Sequence, residues 1–212
     1  MKKVLVTGFE PFGGDEVNPS LEIIKRLSGV MIEGGEIVTC QVPVTRYESI
    51  DCVLSAIAEH QPSVVINLGV GAGRTAITPE RVAINIDDFR IVDNAGNQPI
   101  DEPIVAHGSN AYFSTLPIKA ITQALQNNGI ACEVSNSAGT FVCNHLFYGL
   151  QHHLTGQPIA QGFIHVPLMK QADERTASPS MLLEDMVRGI MLAAEVCLQV
   201  EQDIKYESGQ IC

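Results

Sequence analysis

The sequence has 212 residues, of which 45% are hydrophobic, and a formal net charge of −11 at pH 7. This length and composition suit one large α/β domain with a sizeable core. The acidic charge argues against nucleic acid and anionic membranes as partners, because both need a basic protein surface. No apolar stretch approaches the roughly 20 residues that cross a bilayer, so a membrane is not an expected partner either.

The first third of the chain alternates predicted strands with predicted helices. Runs rich in β-branched residues predict strands at 2–9, 35–44 and 63–69. A helix at 18–29 has Asn18 as its cap, Pro19 at its first position and Gly29 at its end. Apolar residues at helical spacing predict a second helix through Ile50, Val53, Leu54 and Ile57.

The rest of the chain begins with a different pattern. Residues 80–93 alternate apolar and polar side chains, which predicts a strand or a hairpin arm with one exposed face. Residues 94–110 are irregular. Beyond them the pattern predicts a helix at 116–129, a strand at 130–136, a helix through Leu146, Leu150 and Leu154, a strand at 161–168 and a helix from Ser180 to about Glu201.

These elements predict a mostly parallel, twisted sheet with helices on both faces, an α/β/α sandwich, plus a β-hairpin arm. We expect one domain over residues 1–202 and a frayed C-terminal tail over 203–212. In a right-handed βαβ unit, the helix starts at the edge where the next strand ends. Cys143, at the start of its helix, and His165, near the end of the following strand, are therefore expected on one edge, where open α/β sheets bind ligands.

The six cysteines are scattered along the chain, and none forms a Cys-x-x-Cys pair. No signal peptide is predicted, so we expect a reduced, cytoplasmic chain rather than a disulfide framework. Most of the cysteines are expected to be small buried side chains. Cys143 is the candidate exception, because the first turn of a helix favours the thiolate.

A cysteine, a histidine and an acid are the groups that a thiol nucleophile requires. Cys143 and His165 are candidates for nucleophile and base, and a carboxylate such as Glu80 is the usual partner of a catalytic histidine. Simpler interpretations stay open: Cys143 as a core residue, and Glu80 with Arg90 as a surface ion pair.

Two aromatic residues and one glycine-rich segment lie at the same edge. Phe9 and Phe12, on a loop there, either wall a small apolar pocket or fill the core. The segment GVGAGR at 69–74 resembles a phosphate loop, but a strand pattern follows it instead of a helix. His145 and His152 are about two helical turns apart, too far for one ion. We therefore predict no nucleotide site and no metal site.

Several longer motifs are more specific. They are VTGFEPFGG at 6–14, TPERVAIN at 78–85, DNAGNQPIDEPIV at 93–105, YFSTLPIKA at 112–120, SAGTFVCNHLFYGL at 137–150 and GFIHVP at 162–167. Together they cover most of the chain and resemble the pyroglutamyl peptidase type I family of cysteine peptidases. The resemblance implies a cytoplasmic exopeptidase that removes an N-terminal pyroglutamyl (5-oxoprolyl) residue from peptides through an acyl-enzyme. It also implies a homo-oligomer, a dimer or tetramer, that uses no cofactor.

The resemblance also implies roles for individual residues. Cys143 matches the nucleophile, His165 the general base and Glu80 the orienting acid, and Arg90 matches an arginine near the active site. The implied pocket for the five-membered lactam ring is formed by Phe9, Phe12, Val70, Phe141 and Val142.

The sequence departs from the family pattern at three places. Val70 stands where bacterial relatives often carry glutamine, so a backbone contact is expected there rather than a side-chain contact. Phe89 replaces a small residue, and residues 168–180 are shorter and less typical. Two other functions stay open: a non-catalytic α/β protein that binds a small ligand, and a different thiol acyl-transfer enzyme.

Overall fold

The computed structural model describes residues 1–170 and 178–209. Its helices are α1 (Pro19–Leu27), α2 (Glu48–His60), α3 (Ile118–Asn127), α4 (Val142–His153) and α5 (Leu183–Gln199). Its strands are β1 (Lys2–Phe9), β2 (Met31–Ile32), β3 (Gly35–Val42), β4 (Val64–Val70), β5 (Thr78–Pro79), β6 (Val82–Ile84), β7 (Ala111–Phe113), β8 (Ala160–Val166), β9 (Leu168–Met169) and β10 (Ser180–Met181).

The central sheet has the strand order β2-β3-β1-β4-β8-β5. The strands β3, β1, β4 and β8 run parallel, whereas β2 and β5 pair antiparallel at the two edges. β1 lies inside the sheet, where Val4 pairs with Ile37 of β3 and with Val64 of β4. The predicted mostly parallel sheet is therefore confirmed.

Helices cover both faces of this sheet. Val4 and Val6 of β1 pack into a cluster with α1, α3 and α5, whereas Leu5 packs into a second cluster with α2 and α4. Successive residues of a strand point to opposite faces, so the continuous apolar run of β1 fills two cores at once. The α/β/α arrangement predicted from the sequence is confirmed.

Helix α1 has the boundaries that its end residues predict. Asn18 Oδ1 accepts a hydrogen bond from the Ser20 N–H at 3.1 Å, and Pro19 occupies the first helical position. Asn18 Nδ2 also donates to the backbone oxygen of Glu10 at 3.0 Å. The same side chain thus caps α1 and fixes the loop that follows β1 at the carboxyl edge of the sheet.

The predicted hairpin arm at 80–93 is wrong in extent. Only Val82–Ile84 forms a strand, and it pairs with the distant Ala111–Phe113. Beyond Ile84 the backbone bonds to side chains and to another loop: Asn144 Nδ2 donates to the Ile86 oxygen, and Asp87 exchanges backbone hydrogen bonds with Glu102. These contacts replace a strand ladder over the rest of the segment.

The strand predicted at 130–136 is also wrong. Within the described chain this segment makes isolated bridges, Ile77 with Cys132 and Glu80 with Ser135, rather than a named strand. Its neighbour, β5, has only two residues, so the contacts between the two segments do not extend into a continuous ladder.

The start of the C-terminal tail contacts α3, and the predicted fraying of residues 203–212 stays a prediction. Asp203 accepts hydrogen bonds from the backbone N–H groups of Lys119 at 3.0 Å and Ala120 at 2.9 Å. Its carboxylate therefore caps α3, whose own N-cap residue, Pro117, provides no side-chain bond. Residues 171–177 of the atypical segment and Cys212 lie outside the described residues, and the domain boundary at residue 202 stays a prediction.

Candidate active site

Three candidate residues meet at the carboxyl edge of the sheet. Cys143 lies in the first turn of α4, which begins at Val142. His165 is the next-to-last residue of β8. Glu80 directly follows β5, whose Thr78 pairs with His165. The short antiparallel strand β5 thus places the carboxylate of Glu80 beside the His165 side chain.

The imidazole of His165 is held by Glu80. Its Nδ1 lies 2.7 Å from Glu80 Oε1, and the Glu80 side chain is fully buried. Because a carboxylate only accepts hydrogen bonds, Nδ1 carries the proton and donates it. The other ring nitrogen, Nε2, is then an unprotonated base in the neutral imidazole.

The thiol of Cys143 lies against the sheet at the position beside His165. A Cβ atom added to Gly69 would come within 3.0 Å of Cys143 Sγ. Gly69 of β4 pairs with His165 of β8, and paired residues on neighbouring strands are about 5 Å apart. The thiol and the imidazole therefore share one small region above β4 and β8.

Burial controls the protonation of this pair. It raises the pKa of the Cys143 thiol to about 12, and the negative charge of Glu80 acts in the same direction while Arg74 opposes it. Burial also lowers the pKa of His165, against the opposing effect of Glu80. Cys143 has the predicted helix-start position, but burial is the largest influence on its pKa and favours the neutral thiol, as burial favours the neutral imidazole of His165.

A pocket opens next to the thiol. It contains Cys143 itself and five of the residues predicted for the lactam ring, and its lining is Phe9, Phe12, Asn18, Val44, Val70, Phe141, Val142 and Cys143. Phe9 is the last residue of β1, as the strand predicted at 2–9 implies, and the loop at the pocket begins after it. Asn18 and Val44 were missed by the sequence analysis. The sequence identified Asn18 only as a helix cap, and the structure adds its position beside the pocket.

Phe141 is packed between two other aromatic rings. Its ring centroid lies 5.9 Å from that of Phe12 and 4.7 Å from that of Phe89, which is 2% exposed. Phe89, one of the departures from the family pattern, therefore supports the pocket wall from behind. It is not among the lining residues of the pocket.

Two arginines have positions that the sequence did not predict. Arg90 is exposed and is not among the pocket-lining residues, so its role in binding stays a prediction. Arg74 instead lies at the candidate triad, with its NH2 atom 2.8 Å from Glu80 Oε1. The proposed surface pair of Glu80 with Arg90 is replaced by this buried contact. The sequence signal for Arg74 was the segment GVGAGR, which was considered only as a possible phosphate loop.

A second polar network fixes α4 to the segment that carries Phe89. His145 Nδ1 donates to Asp87 at 2.9 Å, and the Tyr47 N–H donates to His145 Nε2 at 2.9 Å. Arg46 Nε donates to Asp87 at 2.8 Å. Both ring nitrogens of His145 are therefore occupied by protein groups, and the network holds the wall behind Phe141 in place.

The remaining titratable side chains do not form a metal site in the part of the chain that the structure describes. No group of three or more His, Cys, Asp or Glu residues there is arranged to hold an ion. None of the helices described has the length and hydrophobicity of a membrane span. The predicted absence of a cofactor stays a prediction.

Comparisons with known proteins give one consistent result. The model of a family described as pyroglutamyl peptidase matches residues 2–200. The pyrrolidone-carboxylate peptidase of Vibrio parahaemolyticus is 60% identical over 212 residues and is covered, like this chain, to 100%. The corresponding protein of Bacillus licheniformis is 51% identical over 212 residues, with 99% of each chain covered.

Solved structures agree over the whole fold. The crystal structure of pyroglutamyl peptidase I from Bacillus amyloliquefaciens has a TM-score of 0.94 and 45% identity, covering 97% of this chain and 99% of its own. The pyrrolidone carboxyl peptidase from Thermococcus litoralis has a TM-score of 0.91 and 40% identity, covering 98% of this chain and 100% of its own. The likeness therefore extends over nearly the whole chain.

Proposed function

Because this chain belongs to the pyroglutamyl peptidase family, we propose that Cys143, His165 and Glu80 are the triad with which it removes N-terminal pyroglutamyl residues from peptides. The chain is a cysteine-type hydrolase. The observation that carries the proposed triad is the 2.7 Å hydrogen bond between His165 Nδ1 and Glu80 Oε1, buried beside the Cys143 thiol.

The first half of the reaction forms an acyl-enzyme. Cys143 Sγ attacks the exocyclic carbonyl carbon of the pyroglutamyl residue while its proton passes to His165 Nε2. Glu80 stabilises the imidazolium that results, as the acid of a triad does. The imidazolium then protonates the amide nitrogen, the C–N bond breaks, and the shortened peptide leaves with a free α-amine. The pyroglutamyl group remains on Cys143 as a thioester.

The second half releases the acid. Water attacks the thioester carbonyl while His165 Nε2 accepts its proton, and the proton returns to Cys143 as the C–S bond breaks. Pyroglutamate leaves and the neutral pair is restored. Each proton moves between named groups, so we propose that the reaction needs neither a metal nor an organic cofactor.

The negative oxygen of both tetrahedral intermediates needs hydrogen-bond donors. The first N–H groups of an α-helix have no partner within the helix, and the N-cap residue of α4, Phe141, provides no side-chain bond to them. We assign the oxyanion to these N–H groups near Cys143, where the positive end of the helix also favours the charge.

The lining of the pocket suits a ring that is small and uncharged, and the pocket must widen to admit it, because its volume is about 10 Å³. Phe9, Phe12, Phe141 and Val142 offer apolar contact, and Val70 lies where a backbone contact is proposed. A free α-ammonium group would lose its hydration in this pocket without an ionic partner, which is unfavourable. Selection for pyroglutamyl peptides over peptides with a free amine follows from this difference.

We also propose a cytoplasmic location and a homo-oligomer, a dimer or tetramer. The free thiols of Cys40, Cys52, Cys132, Cys143 and Cys197 suit a reducing compartment. The β6–β7 ribbon exposes Phe113 to 72% and Ile84 to 37%, and apolar side chains of this size are a suitable subunit contact. Light scattering that shows a monomer at micromolar concentration contradicts the oligomer.

One assay tests the proposed function. The wild-type protein should release a chromogenic amine from a pyroglutamyl substrate, but not from the matching glutamyl or prolyl substrate, and EDTA should have no effect in the presence of a thiol reductant. Cys143→Ser should fold normally and lose several orders of magnitude of activity, whereas Cys197→Ser should keep it. Binding without turnover indicates a non-catalytic protein, and turnover of unblocked substrates indicates a different acyl-transfer enzyme.

A further inference from the structure

We infer that Arg74 is a positioning residue of the proposed triad, which holds Glu80 in the orientation that His165 requires. This inference rests on the proposed function of the same site. Arg74 NH2 and His165 Nδ1 both contact the same carboxylate oxygen, Glu80 Oε1, at 2.8 and 2.7 Å. Glu80 is thus fixed from two directions, by a cation and by the imidazole.

The loop after β4 is shaped to bring Arg74 back to this site. The Arg74 N–H donates to the Gly71 oxygen at 3.1 Å, which closes a turn. The Arg74 side chain then folds across Gly71 so closely that an added Cβ there would lie 2.5 Å from Arg74 Cδ. A side chain at residue 71 would therefore require the Arg74 side chain to take another path.

The guanidinium bonds to three residues in two separate segments. Besides Glu80, it donates from NH1 to Thr78 Oγ1 in β5 and from NH2 to the Ser137 oxygen, at 3.2 Å, in the segment before α4. The Arg74 side chain is 24% exposed, whereas Glu80 is fully buried. The planar fork of arginine makes several directed bonds at once, which the single ammonium of lysine does not.

The charge of Arg74 reaches both proposed catalytic groups. It lowers the pKa of the Cys143 thiol, and it lowers the pKa of His165, whereas Glu80 raises both. Two charged groups act on Cys143 of α4 and His165 of β8. They are Glu80, which follows β5, and Arg74, in the loop after β4. Loss of Arg74 therefore leaves the buried carboxylate of Glu80 without its cationic partner.

Arg81 provides a matched control. It follows Glu80 directly, but its Nε donates to Asn136 at 2.8 Å at the protein surface, and it makes no ion pair within the described residues. Arg81→Gln removes the same charge from almost the same place in the sequence. Its kcat, KM and pH profile should equal those of the wild type.

The experiment compares the full-length wild type with Arg74→Gln, Arg74→Lys and Arg81→Gln. Arg74→Gln should lower kcat about 10- to 100-fold, as expected for loss of a charged hydrogen bond, while KM changes less than about threefold. Arg74→Lys should recover part of kcat, because it restores the charge without the fork. Alkylation of Cys143 by iodoacetamide accelerates as the thiol loses its proton. The pH at which it accelerates should be higher in Arg74→Gln than in the wild type, because the charge that lowers the thiol pKa is absent.

A double-mutant cycle tests whether Arg74 acts through Glu80. If it does, Arg74→Gln should change kcat less than about twofold in a Glu80→Gln background. An equal loss in both backgrounds, or wild-type kcat and alkylation profile in Arg74→Gln, overturns the inference. If Arg74→Gln does not fold, wild-type kcat in Arg74→Lys overturns it. A wild type without pyroglutamyl activity contradicts the proposed function, whereas the alkylation profiles still decide the role of Arg74.

Discussion

Cys143 Sγ rests against the backbone of Gly69, so closely that a Cβ atom at Gly69 would lie 3.0 Å from the sulfur. The same Cβ would meet the Phe163 ring at 2.8 Å, and a ring in the core does not move aside easily. Gly69 is therefore the residue that lets the proposed nucleophile approach the strand edge beside His165. A glycine in strand β4 thus determines how closely the proposed nucleophile approaches the sheet.

Gly69→Ala should displace the thiol and weaken catalysis. We expect a loss in kcat/KM of about 100-fold, since displacements of about 1 Å have effects of this size, and a lower melting temperature from overpacking. Gly209→Ala is the control, because nothing lies within 4 Å of a Cβ there. Kinetics and thermal melting on the same preparations measure both effects. Unchanged kinetics in Gly69→Ala would show that the thiol does not depend on this contact.

The pH dependence of kcat/KM should reflect His165. Burial lowers the pKa of His165 below its ordinary 6.5, and the neutral imidazole is the form that accepts the thiol proton. Activity should therefore persist as the pH falls to 6.5 and decline only below it. Glu80 raises this pKa, so Glu80→Gln should move the acid limb to still lower pH, besides reducing kcat. An acid limb above pH 6.5 in the wild type would contradict the neutral resting state.

Phe12 and Phe89 should respond differently to truncation. Phe12 is half-buried and lines the pocket, whereas Phe89 is 2% exposed behind Phe141. Phe12→Ala should raise KM for pyroglutamyl substrates about 10-fold or more, equivalent to about 1.4 kcal/mol. Phe89→Ala should remove about 3–5 kcal/mol of stability and lower the melting temperature by about 6–20 °C. A stability loss in Phe12→Ala with unchanged KM would identify Phe12 as a core residue.

Cys40 and Cys52 should form a disulfide under oxidation. Their Sγ atoms lie 3.6 Å apart, and both side chains are half-buried. A diazene oxidant such as diamide takes up two protons and two electrons from the thiols and becomes a hydrazine as the S–S bond forms. Burial raises the pKa of Cys40 to about 12, so the reaction should be faster at alkaline pH. The closed loop should add about 2–3 kcal/mol of stability.

The oxidation is best followed in a Cys143→Ser background, which removes the proposed nucleophile. Mass spectrometry of unreduced peptides should find residues 40 and 52 linked, with a loss of two hydrogens. Adding Cys52→Ser should abolish both the link and the rise in melting temperature. Oxidised protein whose peptides remain unlinked would contradict this prediction.

Periodicity and end signals predicted the parts of the fold that local chemistry dictates. The apolar run of β1 and the cap at Asn18 are examples, because strand burial and helix capping depend on nearby residues. The extent of the 80–93 arm was missed, since buried polar groups such as Asp87 and Asn144 replace its ladder, and neither reveals a distant partner through spacing. The two-residue strand β5 was also too short to produce a pattern.

The candidate site was likewise predictable only where motifs or topology determine the position of a residue. The topology rule predicted that Cys143 and His165 share an edge, and the motif resemblance supplied Glu80. The topology rule placed the GVGAGR segment at the same edge, but neither route identified Arg74 itself, because its contact with Glu80 depends on a turn between Gly71 and Arg74 that only the folded loop shows. The raised pKa of the Cys143 thiol was missed because burial, unlike position on a helix, is a property of the whole packed core.

The chain order of the site has a consequence for synthesis. β8, which carries His165, pairs with β4, and α5, the last helix, covers the face of the sheet opposite α4. At translation rates of about 5–20 residues per second, the thiol of Cys143 emerges seconds before the histidine proposed to activate it, and the final helix emerges later still. If His165 has the proposed role, the growing polypeptide has no peptidase activity before β8 is in place.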